Sequence, residues 1–295
     1  MKKTTISRKM FIVFNYAFLT VAALSCVLPF VHLFAISLSG NAAVTAGKVL
    51  FWPVDFTTSS YEFAFKGGTF FRALGNSIVL VVVGTLLNLV MMVITAYPLS
   101  KSKEELLGRN IYMAFFVITM LLNGGLIPTY LVVTRMHLKN TIWALVLPGA
   151  LPVYNMVILM NFMRGLPKEL QEAARVDGAT EMRVLYSILL PLLKPSLATV
   201  GLFCIVSHWN SWFGPTIYMD DPANYTLSAY LRKLLVDFES LIREAGADLD
   251  LLLAQLNAQT GRAAQLFLGA IPIMLIYPFL QKYFTKGLTI GSVKG

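Results

Sequence analysis

The feature that most limits what this chain can fold into is a set of long stretches with no ionisable side chain. Between residues 10 and 47 there is no Asp, Glu, Lys or Arg. A run of about 20 apolar residues is what a helix needs to cross a bilayer. By that measure six spans are expected: 11–39 in part, 73–98, 110–133, 141–162, 196–217 and 263–283. Backbone groups in lipid find no water, so each span must satisfy its own hydrogen bonds as a helix. The expected fold is therefore an all-α, polytopic membrane protein of six transmembrane helices, in one domain over 1–295. Composition agrees, because 57% hydrophobic and 13% charged residues fall outside the range of an ordinary soluble domain. A cleaved signal peptide is the other reading of the first run, and Val44-Thr45-Ala46 would pass as a cleavage site. The length of the run argues against it, since a signal h-region covers roughly 7–15 residues.

Six spans put both termini on one side of the membrane. That side carries 15 of the 24 Lys and Arg residues, leaving 9 for the other, while the acidic residues divide 6 to 9. Excess Lys and Arg mark the cytoplasmic face, so both termini and the loop 164–194 are expected in the cytoplasm. The basic balance flanks apolar spans on one face, which fits orientation and attraction to anionic lipid and argues against nucleic-acid binding. Cys26 and Cys204 both lie in apolar runs, with no second Cys or His at metal-ligand spacing. No metal site is expected.

The most informative loop is polar and lies between apolar walls: Pro167-Lys168-Glu169-Leu170-Gln171-Glu172-Ala173-Ala174-Arg175-Val176-Asp177-Gly178-Ala179. Pro167 suits a helix start and Gly178 a helix stop, with Glu169 and Glu172 near the positive end of the dipole. Leu166, Leu170, Ala173 and Ala174 recur at i, i+4, i+7 and i+8, which predicts one small apolar face on a charged helix. The short loop before Arg109, with Glu104 and Glu105, is expected only to solvate a tight turn.

At Glu172-Ala173-Ala174, Gly178 and Ile188-Leu189-Leu190-Pro191 the chain resembles the permease subunits of bacterial ABC importers, and Asp177, Ala179 and Pro195 extend the match toward the carbohydrate-importing branch. The resemblance implies that this loop is a coupling helix docking on a cytoplasmic ATPase. In that role Glu172 makes the ionic contact, Ala173 and Ala174 the close-packed face, and Gly178, after Asp177, the turn that seats the helix. It also implies four kinds of partner: a second homologous permease, a cytoplasmic ABC ATPase dimer, an extracellular solute-binding protein and the sugar itself. This chain holds no cofactor; ATP and Mg would be bound in the partner subunits. The tail 287–295 resembles the family's ATPase-contacting tail through Gly291 and Lys294, with Ser292 where Ala is usual.

The spans carry their own marks. Asn123-Gly124-Gly125-Leu126-Ile127-Pro128 interrupts span three, and Pro148-Gly149 and Pro152 interrupt span four ahead of Asn155. Irregular backbone at that depth must be buried in protein or line water. Span five ends in His208-Trp209-Asn210-Ser211-Trp212-Phe213. Spacing of i, i+3, i+4 places Trp209, Trp212 and Phe213 on one helix face. Aromatic rings pack on sugar C–H faces and amides serve hydroxyls, so Trp209, Asn210, Trp212, Phe213 and Asn155 are the candidate substrate path; anchoring at the membrane interface is the competing role. The segment 201–221 looks most like permeases for complex oligosaccharides. Two outer loops, about 40–72 and 218–262, complete the plan. The first is rich in aromatic residues, either as an interfacial belt or, by the resemblance, as a cap over the transport cavity. His32 and His208 are expected to be hydrogen-bonded packing residues.

Three functional classes compete. An importer needs an engine, yet the chain has no G-x-x-x-x-G-K-[ST] phosphate loop, so ATP must be bound by another polypeptide. An ion-coupled secondary carrier usually places ionisable residues in mid-membrane, and no span interior holds Asp, Glu, Lys or Arg. An intramembrane enzyme needs a convergent nucleophile and base, and the histidines at 32, 137 and 208 are scattered. The reading is a permease subunit of an ABC-type carbohydrate importer in the bacterial cytoplasmic membrane, without an enzymatic site of its own.

Overall fold

The computed structural model describes residues 6–65, 68–122, 124–245 and 260–275, and every regular element among them is helical. In chain order these are α1 (Ile6–Ser37), α2 (Asn41–Thr45), α3 (Ser59–Phe65), α4 (Thr69–Ser100), α5 (Arg109–Leu121), α6 (Leu126–Arg135), α7 (Trp143–Val146), α8 (Val153–Arg164), α9 (Lys168–Val176) and α10 (Glu181–Arg183). After a π-helical turn, Val184–Leu189, come α11 (Leu190–Leu192), α12 (Lys194–Trp209), α13 (Phe213–Tyr218), α14 (Leu227–Ala245) and α15 (Thr260–Leu275). Two compact units result: Met1–Phe70 with Leu231–Ile271, and Phe71–Tyr230 with Pro272–Gly295.

In the first unit α1 is exposed throughout residues 6–30, as a lipid-facing span requires. Its C-terminal end is tied down by hydroxyls. Ser37 Oγ donates to the Phe34 carbonyl (2.7 Å) and meets the Tyr61 hydroxyl (2.8 Å), while Ser39 Oγ donates to the Ala35 carbonyl and accepts from the Val54 amide (3.0 Å). Ala35, Ala43 and Val49 make a small core there. His32 Nδ1 lies 2.6 Å from the Leu50 carbonyl, the packing role expected of it. Thr260 bonds Asn41, and Phe267 packs on Phe34 with ring centroids 4.8 Å apart. α15 begins the sixth expected span, whose remainder lies outside the described residues.

The second unit is organised by α4. Ser77, Gly84, Asn88, Met92 and Ala96 recur every four to seven residues on its buried side, while Val82, Leu86, Val90 and Ile94 are exposed. This inverts a soluble helix. Lipid tails are as apolar as leucine, so apolar side chains can face outward; small and polar residues face neighbouring helices, where close packing and hydrogen bonds provide the attraction. A core of Met92, Ala96, Tyr97, Met156, Leu159, Met160, Met163, Leu185, Leu189 and Val200 joins α4, α8, the π turn and α12. Its unbranched methionines fill the irregular gaps that bent helices leave.

The two expected interruptions are present as bends, 108° between α5 and α6 and 52° between Trp143–Gly149 and α8, and a third, not anticipated, of 81° separates Glu181–Leu192 from α12. Pro191 and Pro195 explain the last, since neither can donate to the residue four before it. Counting each bent pair as one span, α1, α4 and the three pairs give five helical crossings by length and composition. Asn123, in the break of span three, lies outside the described residues.

Candidate functional site

The loop 164–194 folds as its local signals require. α9 runs from Lys168 to Val176 with Pro167 as N-cap. At its other end the Gly178 amide donates to the Arg175 carbonyl (3.0 Å) and the Ala179 amide to the Ala174 carbonyl (2.9 Å), the paired bonds of a Schellman ending. Gly178 sits at φ +78, the left-handed region that a side chain with a Cβ disfavours. Asp177 is the C-cap and is exposed. The single apolar face expected on α9 is not what forms. Leu166 and Ala174 pack on the core, whereas Leu170, Ala173 and Val176 are exposed along with Glu172. A residue spaced i+1 from its neighbour is rotated far enough that Ala173 and Ala174 point apart, so Glu172, Ala173 and Val176 form the outward surface.

α9 is held to the membrane-spanning part by ionic contacts that involve the supposedly inert turn. Ser102 and Glu105 bond reciprocally, the Ser102 amide to Glu105 Oε2 (3.0 Å) and the Glu105 amide to Ser102 Oγ (3.3 Å). This is the reciprocal bonding of a capping box, here closing a turn rather than opening a helix, and the string Ser102-Lys103-Glu104-Glu105 was its available sequence signal. Glu105 Oε1 then accepts from Arg175 Nη1 (3.0 Å), so the expectation that Glu105 only solvates a turn is corrected. Arg175 Nε donates to Glu181 Oε1 (2.9 Å); Lys101 Nζ donates to Glu181 Oε2 (3.0 Å) and to Gln171 Oε1 (3.0 Å); the Tyr97 hydroxyl also donates to Glu181. Partial burial alone would raise the pKa of Glu181. The hydrogen bonds from Tyr97, Lys101 and Arg175 outweigh it and bring the carboxyl from 4.5 down to about 2. Glu105 is also held low, first by the Ser102 amide.

The candidate substrate residues do not converge as spacing predicted. α12 stops at Trp209 with Asn210 as C-cap, and Trp212 and Phe213 belong to the start of α13. The helical period assumed across 209–213 is broken, so the shared face is lost. Trp209 is buried and its carbonyl accepts from Ser228 Oγ (2.6 Å). Asn210 folds its amide back on the Val206 carbonyl (3.0 Å). Trp212 and Phe213 do meet, edge to face, with centroids 5.4 Å apart. Asn155 Nδ2 donates to Cys204 Sγ at 3.6 Å. Gly291 and Lys294 lie outside the described residues.

A second polar cluster was not anticipated as a unit. Asn88 Nδ2 donates to the carbonyls of Gly149 (2.8 Å) and Ala150 (2.9 Å), freed by the break before α8. That orientation leaves Asn88 Oδ1 as acceptor, so His208 Nε2 donates to it at 2.7 Å. The expected packing role of His208 holds. Nearer the far end, Asp220 accepts from Lys139 (2.9 Å) and Asn140 (2.8 Å), which lowers its pKa, and Asn76 donates to the Ala223 and Tyr225 carbonyls.

Comparison with known proteins gives this geometry a family. Residues 103–290 match the model of the binding-protein-dependent transport system inner membrane component. The chain is 35% identical to the polygalacturonan/rhamnogalacturonan transport system permease protein YtcP of Bacillus subtilis, covering 97% of this chain and 99% of that one. It is 27% identical to the arabinooligosaccharides transport system permease protein AraQ of Halalkalibacterium halodurans, over 100% and 99% of the two chains. Among solved structures it matches a bacterial ABC transporter involved in the import of the acidic polysaccharide alginate, with a TM-score of 0.85, 29% identity, and coverage of 96% of this chain and 100% of that one. A stack of bent apolar helices carrying one exposed, Schellman-capped Glu-Ala-Ala helix is thus placed by its relatives: the chain belongs to the binding-protein-dependent transport system inner membrane component family, the permeases of ABC importers.

Proposed function

We propose that this chain is the membrane-spanning subunit through which an ATP-driven importer moves a carbohydrate, an oligosaccharide, into the cytoplasm. The observation that carries the reading is α9: a short helix whose outward surface is Glu172, Ala173 and Val176 and whose inward surface is tied by Arg175 to Glu105 and Glu181. An element exposed on one side and ion-paired on the other can pass a push from a docked partner to the ends of membrane helices. Glu172 is the charged contact to an ABC ATPase dimer, Ala173 allows close approach, and Gly178 with Asp177 sets the exit of the chain. Ala174 serves the core instead, a change from the role its resemblance implied. The names of the relatives support an oligosaccharide as cargo, and a second permease and an external binding protein complete the assembly. The Lys and Arg asymmetry supports cytoplasmic termini.

The test is mass spectrometry of what copurifies with the tagged chain from native membrane in mild detergent, for wild type and Gly178→Asp. Nothing lies within 4 Å of a Cβ built on Gly178, and Asp is among the residues that tolerate a left-handed backbone, so the variant is expected to fold. The expected result is a second Glu-Ala-Ala permease and a phosphate-loop ATPase in stoichiometric amounts with wild type, and loss of the ATPase with the variant. A chain that purifies alone would favour a secondary carrier.

A further inference from the structure

A cleft of about 520 Å³ lies at the root of α9, walled by the loop after α4, the start of α5, the end of α8 and one face of α9. Among its lining residues are five cations, Lys101, Arg109, Arg164, Lys168 and Arg175, against Glu105 and Glu172. Lys101 and Arg175 are neutralised by Glu181 and Glu105 at 2.9–3.0 Å. Among the described residues, Arg109, Arg164 and Lys168 have no carboxylate oxygen within 4.0 Å, and Glu172 forms no ion pair. Two of these cations are also forced together: Arg109 Nε and Arg164 Nη2 donate to the same Leu99 carbonyl, at 2.9 and 2.8 Å. A helix C-terminus offers only about half an elementary negative charge, so two guanidinium groups sharing one such end are left under-neutralised. Arg109 Nη1 also reaches the neutral Asn110 Oδ1 at 3.4 Å, and the N–H donors that remain on the two groups suit an oxyanion with several acceptor atoms.

The position of the pair narrows the anion. Leu99 is next to last in α4, Arg109 opens α5 and Arg164 closes α8, so the cleft sits where three membrane-crossing segments end. Lipid phosphates lie at that depth, and basic pockets between helices on the cytoplasmic side are suited to anionic headgroups. We propose that Arg109 and Arg164, with Lys168, bind the phosphate headgroup of an anionic phospholipid. The cytoplasmic assignment of the cleft rests on the orientation proposed above. A bound headgroup would neutralise the pair and tie the root of the coupling helix to the composition of the inner leaflet.

The experiment places the full-length chain in phosphatidylcholine nanodiscs containing a minority of phosphatidylglycerol and identifies the lipids it retains by native mass spectrometry. Wild type is expected to retain phosphatidylglycerol preferentially. Replacing both residues, Arg109→Gln with Arg164→Gln, should reduce that preference by roughly fivefold per arginine. The pair Arg109→Lys with Arg164→Lys, which keeps the charge and loses the forks, should fall between wild type and the glutamine pair, and Lys103→Gln, an exposed lysine outside the cleft, should change nothing. Equal retention of both lipids by wild type overturns the proposal. Saturable binding of inorganic phosphate that needs both arginines, without lipid preference, overturns the lipid as source while keeping the anion chemistry. If neither anion binds and the glutamine pair instead loses the copurifying ATPase, the cleft belongs to a protein interface and the proposal fails. Lipid retention is read on the chain without ATP or a partner, so its failure leaves the importer reading untouched.

Discussion

At the root of α9 and at the break before α8, helices end or bend and leave polar groups to be matched, and the two places match them with different chemistry. Around α9 the groups are charged: Arg175, Lys101, Glu105 and Glu181, with side chains between 10% and 53% exposed. At the break before α8 they are neutral: Asn88, His208 and the Gly149 and Ala150 carbonyls, with Asn88 only 3% exposed. Water sets the difference. A charged side chain at membrane depth costs about 2.5–3.5 kcal/mol on insertion scales, whereas neutral amides meet the same geometric need. Exposed ion pairs contribute only about 0.2–1 kcal/mol each, so the contacts holding α9 can be remade as it moves. The neutral cluster is centred on a buried side chain, Asn88, and acts as a fixed pin.

The largest effect expected from this comparison is at the pin. Asn88→Leu removes the donor to two carbonyls and the partner of His208, and should cost about 2–4 kcal/mol by the penalty for unmatched buried groups. Thermal unfolding in detergent measures it; a loss below about 0.5 kcal/mol, the range of ordinary surface changes, would erase the contrast. Gly84→Ala comes next, because its Cβ would stand 2.5 Å from His208 Nε2. Overpacking of that kind costs about 1–3 kcal/mol, and a second substitution, His208→Ala, should relieve part of the clash if contact with the ring is the cause.

At the root of α9 the same measurements should move less. Glu181→Gln breaks the pairs to Lys101 and Arg175 and should lower stability by no more than about 1 kcal/mol. Hydrogen exchange across 168–181 should accelerate while the core helices stay protected; unchanged exchange would mean the ion pairs do not hold α9. The smallest effect is that of pH. The folded pKa of Glu181 is below its unfolded value, so its contribution is complete above about 4.5 and is lost as pH falls through about 2. Protection of 168–181, corrected for intrinsic exchange, should be flat from pH 8 to 5 and decline only below about 4.5; a decline near pH 6 would point to another titrating group.

Legibility followed the range of the causes. Pro167 and Gly178 bound α9 through effects confined to a few residues, and the structure has the helix start next to Pro167 and end two residues before Gly178. The bend at Pro148–Pro152 was likewise local, because a missing N–H acts wherever proline stands; the bend at Pro191–Pro195 has the same local cause but was not read from the sequence. The grouping of Trp209 with Trp212 and Phe213 failed because it assumed an unbroken helical period, and α12 ends at Asn210. Glu105 and Arg175 are 70 residues apart, and no spacing rule reaches across that distance.

The sequence by itself determined that the chain crosses the membrane repeatedly as helices, where those helices break, and that a capped Glu-Ala-Ala helix stands between two of them. Each follows from length, charge and backbone chemistry that act locally or in bulk. Only the tertiary structure decided which face of α9 looks outward, that Glu181 collects three donors, that Asn88 matches the broken backbone at Gly149, and that Arg109 and Arg164 share one carbonyl. Those pairings depend on which helices are neighbours, and with lipid as solvent that choice rests on close packing and a few hydrogen bonds, which hydropathy along a chain does not encode.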